Sequence, residues 1–377
     1  MEQGPEKRPR PGGRRLTAAG AALCLACAVA LTGGGVRTAQ TAAPARLDLP
    51  RQEAVQTMAA GVGDQVIPVG KAVGIKLFSD GVLVVGLSAV ETQAGSRSPG
   101  RDCGLKEGDV ITHINGDEVD TIEAVQALVE EQRDSPLTIQ AVRGERQLQL
   151  TAAAVENRQG DYQLGVWLRD SMAGIGTVTF YDPASGVFGA LGHGINDVDT
   201  AMLMPMETGS IMPASVTQVK KGTGGDPGEL HGQFDLTREL GTLYANTGLG
   251  VFGRLDPEAE GLGGQAVPVA GRDQVHEGPA TILSNIRGDQ VEEFDIQITK
   301  VAPQGDGTRS LTIQVTDPEL LEATGGIVQG MSGSPILQDG RLAGAVTHVL
   351  VNDPTQGYGV LAETMLRQAR GGRHTGA

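Results

Sequence analysis

Short hydrophobic runs separated by Gly, Pro and Asp dominate the chain after its first 65 residues. The runs at 73–78 and 81–87 are joined by Ser79 and Asp80, which predicts a β-hairpin. Apolar positions recur at helical spacing over residues 120–132, and this predicts one amphipathic helix. Two further apolar runs follow that helix and predict a closing hairpin. Residues 66–156 therefore form one predicted α+β domain.

The second half of the chain has a simpler pattern. After residue 162 the apolar runs are short, turns of Gly, Pro or Asp separate them, and no strong helical period returns before residues 364–369. Many short strands at near-regular spacing predict an all-β domain, closed or sandwiched, over residues 160–370. The chain as a whole is predicted to be mainly β.

The N-terminal 37 residues differ from the rest. Basic residues between Lys7 and Arg15 precede an apolar run at 16–31, which predicts an export signal or a single membrane anchor. Residues 28–30 fit a small-x-small cleavage pattern, and whether the segment is cleaved or retained stays open. In either case the remainder is exported, and a retained segment makes the membrane a partner. Residues 38–65 have no firm period and are interpreted as a linker.

Composition and charge exclude some functions. The formal net charge is −15, which excludes nucleic acid as a partner because phosphate binding needs a basic surface. Aromatic residues make up only 3%, so the core must be aliphatic. Cys103 is the only cysteine beyond the N-terminal apolar run, so no intramolecular disulfide is expected. No His/Cys spacing suggests a metal site, and no cofactor is expected.

The first domain resembles a PDZ domain in its order of strands, turn, helix and closing strands. The stretch "GLKEGDVITHINGDEV" at 104–119 is the specific part of this resemblance. It implies a peptide-binding loop at Ala72, Val73, Gly74 and Ile75, whose amides would hold a terminal carboxylate by β-augmentation. A small α+β domain without a ligand is the alternative.

The stretch "GIVQGMSGSP" carries the clearest chemical signal. Gly330 and Gly333 flank Ser332, and glycines permit the backbone angles that turn amides toward a substrate. The arrangement resembles the Gly-x-Ser-Gly-x-Pro nucleophile loop of chymotrypsin-like serine peptidases. It implies Ser332 as nucleophile and the amides of Gly330 and Ser332 as the oxyanion hole. Ser334 fills a position that is usually Gly.

His193 lies between two glycines in "ALGHGI", where an apolar run ends. A lone histidine of this kind is more often structural than catalytic. Its odds change because the PDZ-like domain, "ALGHGI", "DPELLEATGGIVQGMSGSPI" and "GAVTHVLVNDPTQGYGV" follow one another in one chain. This series closely resembles the SpoIVB peptidase family of endospore-forming bacteria, over residues 66–365. The resemblance implies a double β-barrel peptidase domain after the PDZ domain, with His193 as the general base for Ser332.

The third catalytic residue stays open in the sequence. The family resemblance implies Asp317, whereas the usual spacing in chymotrypsin-like chains favours Asp235 or Asp295. Two further carboxylates, Asp197 and Asp199, lie on the loop of the histidine itself.

The strand after the nucleophile loop is the candidate for substrate binding. In chymotrypsin-like peptidases this strand pairs with the substrate backbone and walls the specificity pocket. Here it would contain Ala345, Val346, Thr347 and His348. The alternative is a core strand with His348 pointing to solvent.

The resemblance also implies a task. The protein would be an exported, extracytoplasmic serine endopeptidase, held at the membrane between forespore and mother cell. It would cleave a SpoIVFA-like regulator of the intramembrane pro-sigma-K protease, and it would cleave itself, with the PDZ domain holding a self or partner peptide. Two alternatives are an exported PDZ scaffold with an inactive peptidase site and an HtrA-like quality-control protease.

Overall fold

The computed structural model describes residues 64–257, 259, 262–302 and 307–371. The predicted signal or anchor at 1–37 lies outside the described residues, as does the predicted linker except for its last two residues. Among the described helices, none combines the length and the apolar character needed to cross a bilayer.

The chain is mainly β, as predicted, and its elements are numbered in chain order. The first part contains β1 (Gln65–Pro68), β2 (Ala72–Leu87), β3 (Val90–Thr92), β4 (Gly95–Arg97), α1 (Pro99–Asp102), β5 (Val110–Ile114), β6 (Asp117–Glu118), α2 (Ile122–Gln132), β7 (Pro136–Arg143), β8 (Arg146–Ala153), β9 (Val155–Glu156) and β10 (Tyr162–Gln163). The central part contains β11 (Val166–Asp182), β12 (Val187–Ala190), β13 (Thr208–Lys220), β14 (Glu229–Phe234), β15 (Gly241–Thr247), β16 (Gly250–Leu255), β17 (Val267–Pro268) and a 3₁₀ turn (Arg272–Gln274). The last part contains β18 (Gly278–Arg287), β19 (Gln290–Val301), β20 (Leu311–Val315), α3 (Pro318–Thr324), β21 (Pro335–Gln338), β22 (Arg341–Leu350), β23 (Asp353–Leu361) and α4 (Ala362–Gly371).

The first β-barrel is closed by the two longest strands. β2 pairs antiparallel with both β11 and β13, and the sheet continues from β13 through β15, β16 and β12 back to β11. Its interior is filled by aliphatic side chains such as Val73, Leu77 and Ile211, all without solvent exposure. The core is largely aliphatic, as the composition predicts, but Phe188 is also fully buried in it.

The PDZ module is inserted between two strands of this barrel, β2 and β11, and does not form a separate domain before it. The second half of β2 pairs with β5, from which the sheet continues to β7 and β8, while the first residues of β11 pair back onto β2. Helix α2 covers this sheet, and Val125 and Val129 on its inner face are buried. The domain boundaries at 66–156 and 160–370 stay a prediction, and the structure adds that both long strands belong to the barrel and to the PDZ module at once.

The predicted hairpin at Ser79 and Asp80 is wrong. These two residues lie inside the continuous strand β2, where its register with β11 shifts between Phe78 and Leu83. Gly81 has φ +82°, and a side chain there would meet the carbonyl oxygen of Ile111 at 2.7 Å. The turn-forming residues thus make a bulge at which β2 leaves the barrel and enters the PDZ module.

The second barrel is a closed ring of six strands in the order β18, β19, β20, β23, β22 and β21. Leu311, Ile313 and Ile336 in its interior have no solvent exposure. The barrels touch through the amide of Thr177 in β11, which donates to the carbonyl oxygen of Ser332 at 3.1 Å. The loop between α3 and β21 therefore lies at the junction of the two barrels.

Candidate active site

The loop that carries Ser332 requires glycine at two positions for steric reasons. Gly330 and Gly333 both have φ +97°, a conformation that other residues rarely adopt. A side chain at Gly333 would also meet the carbonyl oxygen of Thr177 at 2.0 Å. The glycines let the second barrel bring this loop against the first barrel.

The two serines of the loop have different surroundings. Ser332 is partly buried, lines a cavity between the barrels, and donates its Oγ hydrogen to the carbonyl oxygen of Thr347 at 2.8 Å. Ser334 is fully buried, and its hydroxyl bonds with that of Ser284 at 3.1 Å. Of the two, only Ser332 lines the cavity, so Ser332 remains the candidate nucleophile.

The amides proposed for an oxyanion hole are available. The carbonyl oxygen of Gly330 accepts from Thr177 Oγ1 at 2.8 Å, which fixes the Gly330–Met331 peptide between the two proposed donors. Within the described ranges, the amides of Gly330 and Ser332 donate to no backbone acceptor. Both residues border the cavity, so a carbonyl oxygen of a substrate can approach these donors.

His193 reaches the same cavity from the first barrel. It follows β12 through Leu191 and Gly192, whose φ values are +68° and +70°. Its Nδ1 lies 2.8 Å from the carbonyl oxygen of Gly194, and because a carbonyl only accepts, Nδ1 carries the hydrogen. In the neutral ring Nε2 is then free of hydrogen and can accept a proton.

The surroundings of the His193 imidazole affect its pKa. Burial lowers the pKa of His193, and the hydrogen bond to Gly194 opposes this shift only in part. The ring of His348 lies 4.9 Å away between centroids, tilted by 35°. A lowered pKa keeps His193 neutral at physiological pH, which is the form that a general base needs.

The loop of His193 is braced by a side chain that the sequence analysis missed. Asn246, at the end of β15, accepts from the amide of Ile195 at 2.9 Å, and its Nδ2 donates to the carbonyl oxygens of Ile195 at 2.9 Å and Met204 at 3.0 Å. These bonds hold both arms of the loop. No local sequence signal could have revealed Asn246, because it is about 50 residues away in the chain.

Asp317 makes no hydrogen bond with His193, so its predicted role as the catalytic acid is corrected. It is the N-cap of α3: Oδ1 accepts from the amide of Leu320 at 2.9 Å and Oδ2 from that of Asp295 at 3.3 Å. The Asp-Pro-Glu sequence that begins the helix is a typical capping signal. The imidazole is instead oriented by the backbone carbonyl of Gly194.

The other carboxylates that the sequence offers as the catalytic acid also lie away from the cavity lining. Asp235 is exposed and accepts from the hydroxyl and the amide of Thr237, the hydroxyl bond having the larger part in lowering its pKa. Asp295 is exposed on β19. On the histidine loop, buried Asp197 and exposed Asp199 both form ion pairs with Arg169. None of the described Asp or Glu side chains lines the cavity.

The predicted substrate strand is β22, and only its second half reaches the cavity. Ala345 and Val346 are fully buried, and the amide and carbonyl of Val346 already bond with Ser334 and Gly333. These two residues are corrected from substrate binding to core packing. Thr347 and His348 line the cavity, as predicted.

The predicted PDZ loop at Ala72, Val73, Gly74 and Ile75 is also wrong. All four residues lie in β2 and pair with β11 on one side. Val73, Gly74 and Ile75 also pair with β13 on the other side. A strand paired on both sides cannot add a peptide as a further strand. Ile75 faces the peptidase cavity instead.

A second cavity, of about 370 Å³, lies in the PDZ module and is the candidate peptide groove. It lies between helix α2 and the segment 163–168, and its walls include Val125, Val129 and Leu164. The segment contains Leu164-Gly165-Val166, which shares Leu and Gly with the Gly-Leu-Gly-Phe form and is the signal that was overlooked. Gly165 has φ +69°, and a side chain there would meet the carbonyl oxygen of Ser88 at 2.4 Å.

Two closed barrels with a serine and a histidine at one cavity between them have the architecture of a serine peptidase. Residues 160–366 match the family model described as SpoIVB peptidase S55, and residues 92–143 match that of a PDZ domain. The first match spans more than half of the chain, so the chain belongs to the SpoIVB peptidase S55 family. It is a serine peptidase with a PDZ domain that acts on protein or peptide substrates.

Solved structures resemble parts of the chain. The PDZ domain of the SdrC-like protein Lmo2051 from Listeria monocytogenes is 22% identical and has a TM-score of 0.20, over 24% of this chain and 87% of that chain. The active form of the Rv3671c protease of M. tuberculosis is 13% identical, with a TM-score of 0.30, over 55% and 77% of the two chains. The HtrA-type protease AlgW with a decapeptide is 12% identical, with a TM-score of 0.32, over 59% and 57%.

A comparison with curated proteins gives no significant match.

Proposed function

We propose that the protein is an exported serine endopeptidase of endospore formation that cleaves a regulatory membrane protein and itself. The substrate would be a SpoIVFA-like regulator of the intramembrane pro-sigma-K protease, so that cleavage activates pro-sigma-K processing. Membership of the SpoIVB peptidase S55 family supports this task. The observation that carries the chemistry is that Ser332, His193 and the amides of the nucleophile loop border one cavity.

The hydrolysis would begin with a change of hydrogen-bond partner at Ser332. In the structure the Ser332 hydroxyl donates a hydrogen bond to the carbonyl oxygen of Thr347. A backbone N–H of the substrate can take over this carbonyl, which frees the hydroxyl to turn toward Nε2 of His193. Substrate binding would thus prepare the nucleophile.

Acyl transfer would follow the usual two steps of a serine peptidase. Oγ of Ser332 attacks the carbonyl carbon while Nε2 of His193 takes the hydroxyl proton, and the amides of Gly330 and Ser332 receive the oxyanion. His193 then gives this proton to the leaving amine as the peptide bond breaks. A water then attacks the ester carbonyl while the same imidazole takes its proton, and the imidazolium returns this proton to Oγ of Ser332 as the acyl–oxygen bond breaks. The product leaves as a carboxylic acid, which ionises to the carboxylate.

The PDZ groove would hold a peptide of the substrate or of the protein's own chain. One wall of this groove is formed by Val166, Trp167 and Leu168, the first residues of β11, and the same strand continues into the catalytic barrel. A peptide bound there would lie on a strand that also belongs to the peptidase domain. The N-terminal segment would deliver the protein across the mother-cell or forespore membrane and hold it between the two membranes.

A direct test uses the purified full chain, a fluorophosphonate probe and a co-expressed SpoIVFA-like regulator. The proposal expects the probe on Ser332, cleavage of the regulator and self-cleavage, with all three lost in Ser332→Ala. Peptide binding without labelling would instead indicate a PDZ scaffold. Broad degradation of unfolded proteins, with the regulator left intact, would indicate a quality-control protease.

A further inference from the structure

The cavity beside Ser332 has chemistry that selects among substrates. It measures about 310 Å³ and is lined mostly by aliphatic side chains. Among the described residues that line it, none is Asp, Glu, Lys or Arg; the polar groups are those of the catalytic centre, Gln329, Thr347 and His348.

Two walls of this cavity meet at the nucleophile. One wall is the segment before Ser332, where Ile327 and Val328 are almost fully buried. The other is the end of β22 and the turn after it, with Val349 and Val351. Both walls pack on the apolar core of the second barrel, which contains Ile327 and Val328 and contacts Val349.

The position of these walls identifies the part of the substrate that enters. A substrate residue whose N–H bonds with the Thr347 carbonyl, and whose own carbonyl carbon faces Ser332, must direct its side chain between them. A charged side chain in this space would lose its hydration without gaining a partner, which is costly. An apolar side chain gains from burial in the same space.

We propose that the peptidase cleaves after an apolar residue and that Val349 is a specificity-determining residue. This inference rests on the proposed nucleophile, since it uses the position of Ser332 to define which substrate residue enters the cavity. Aliphatic walls on both sides exclude acidic and basic residues from the position before the cleaved bond.

The test is cleavage of a random decapeptide library by the purified full chain, with the new termini read by mass spectrometry. Individual peptides that differ only before the cleaved bond then give kcat/KM for Leu, Phe, Asp and Lys. We expect kcat/KM for the peptides with Leu or Phe to exceed that for the peptides with Asp or Lys by roughly 100-fold or more. The reason is that burying an unpaired charge costs more free energy than losing a methylene. Equal or faster cleavage after Asp or Lys overturns the proposal.

Val349→Asp sharpens the test because it places a carboxylate in the wall. The ratio of Lys to Leu cleavage should rise by at least about 10-fold, since an opposite charge now meets the lysine. Val291→Asp is the matched control, because Val291 is 37% exposed on β19 and does not line the cavity; its ratio should stay that of the unaltered protein.

Fluorophosphonate labelling of Ser332 separates the possible failures. An unchanged ratio in a Val349→Asp protein that still labels overturns the proposal. If this variant does not label, Val351→Asp, at a position 41% exposed at the cavity mouth, decides by the same ratio. If the unaltered protein does not label at Ser332, the proposed nucleophile fails, and with it this inference.

Discussion

The two barrels present their proposed catalytic side chains in different ways. Ser332 lies in a loop shaped by its own glycines, Gly330 and Gly333, which the sequence shows directly. His193 lies in a loop whose shape depends on Asn246, a distant side chain, and on the carbonyl of Gly194. The local glycine pattern therefore points to the proposed nucleophile, whereas the support of the proposed base is visible only in the fold.

The largest expected effect is at the nucleophile. Ser332→Ala should lower kcat/KM by on the order of 10⁴-fold or more, because no other group can form the acyl-enzyme. Ser334→Ala is the control: its hydroxyl bonds with Ser284 outside the cavity, so activity should remain near that of the unaltered protein. Loss of activity in Ser334→Ala with retention in Ser332→Ala would reverse the assignment.

His193→Ala should have an effect close to that of Ser332→Ala, and the double variant should be no worse than either, because the two groups act as one unit. Steady-state kinetics on one peptide check this. Independent, multiplying losses would show that His193 does not serve Ser332.

The pH dependence of the unaltered protein tests the same imidazole. The base must be neutral, and burial lowers the pKa of His193, so kcat/KM should fall only below the ordinary histidine pKa of about 6.5. An acidic limb above that value would contradict the lowered pKa of His193.

An intermediate effect is expected at Asn246, which holds the histidine loop. Asn246→Ala should lower kcat by roughly 10- to 100-fold with little change in KM, since a misplaced base weakens proton transfer. The ¹⁵N chemical shifts of His193 should also show loss of the single Nδ1–H tautomer.

Asn285→Ala is the matched control for Asn246. Its Nδ2 also bonds with backbone carbonyls, those of Arg287, Gly288 and Gln290, but at a turn of the second barrel. We expect a similar loss of stability with kcat unchanged. Equal losses of kcat in both variants would reduce Asn246 to a structural residue.

The smallest effect is expected at Asp317. Asp317→Ala should lower the free energy of unfolding by about 1 kcal/mol through loss of the N-cap of α3, and Asp317→Asn should recover most of it because Asn caps well. Denaturant unfolding measures both. A loss in Asp317→Asn as large as in Asp317→Ala would contradict the capping role.

Much of this molecule can be predicted from its sequence. The mainly β fold, the PDZ module and the position of Ser332 follow from local patterns, because short strands, turn residues and glycines act on their own neighbours. The errors concern residues whose partners are distant. Ala72–Ile75 resembled a PDZ loop, but β2 continues from one barrel into the inserted module, which no local pattern reveals.

The wrong prediction of Asp317 as the catalytic acid is the second error of this kind. The Asp-Pro sequence at Asp317 is equally compatible with a helix cap and with a catalytic carboxylate, and only the fold shows that Leu320 and Asp295 are its partners.

The central claim is that the base of Ser332 is His193, oriented by a backbone carbonyl and not by Asp317. The rate of fluorophosphonate labelling at Ser332 tests it in the unaltered protein, His193→Ala and Asp317→Asn. The account predicts equal rates for the unaltered protein and Asp317→Asn, and a rate lower by on the order of 100-fold or more for His193→Ala. Labelling of Asp317→Asn as slow as that of His193→Ala would contradict it.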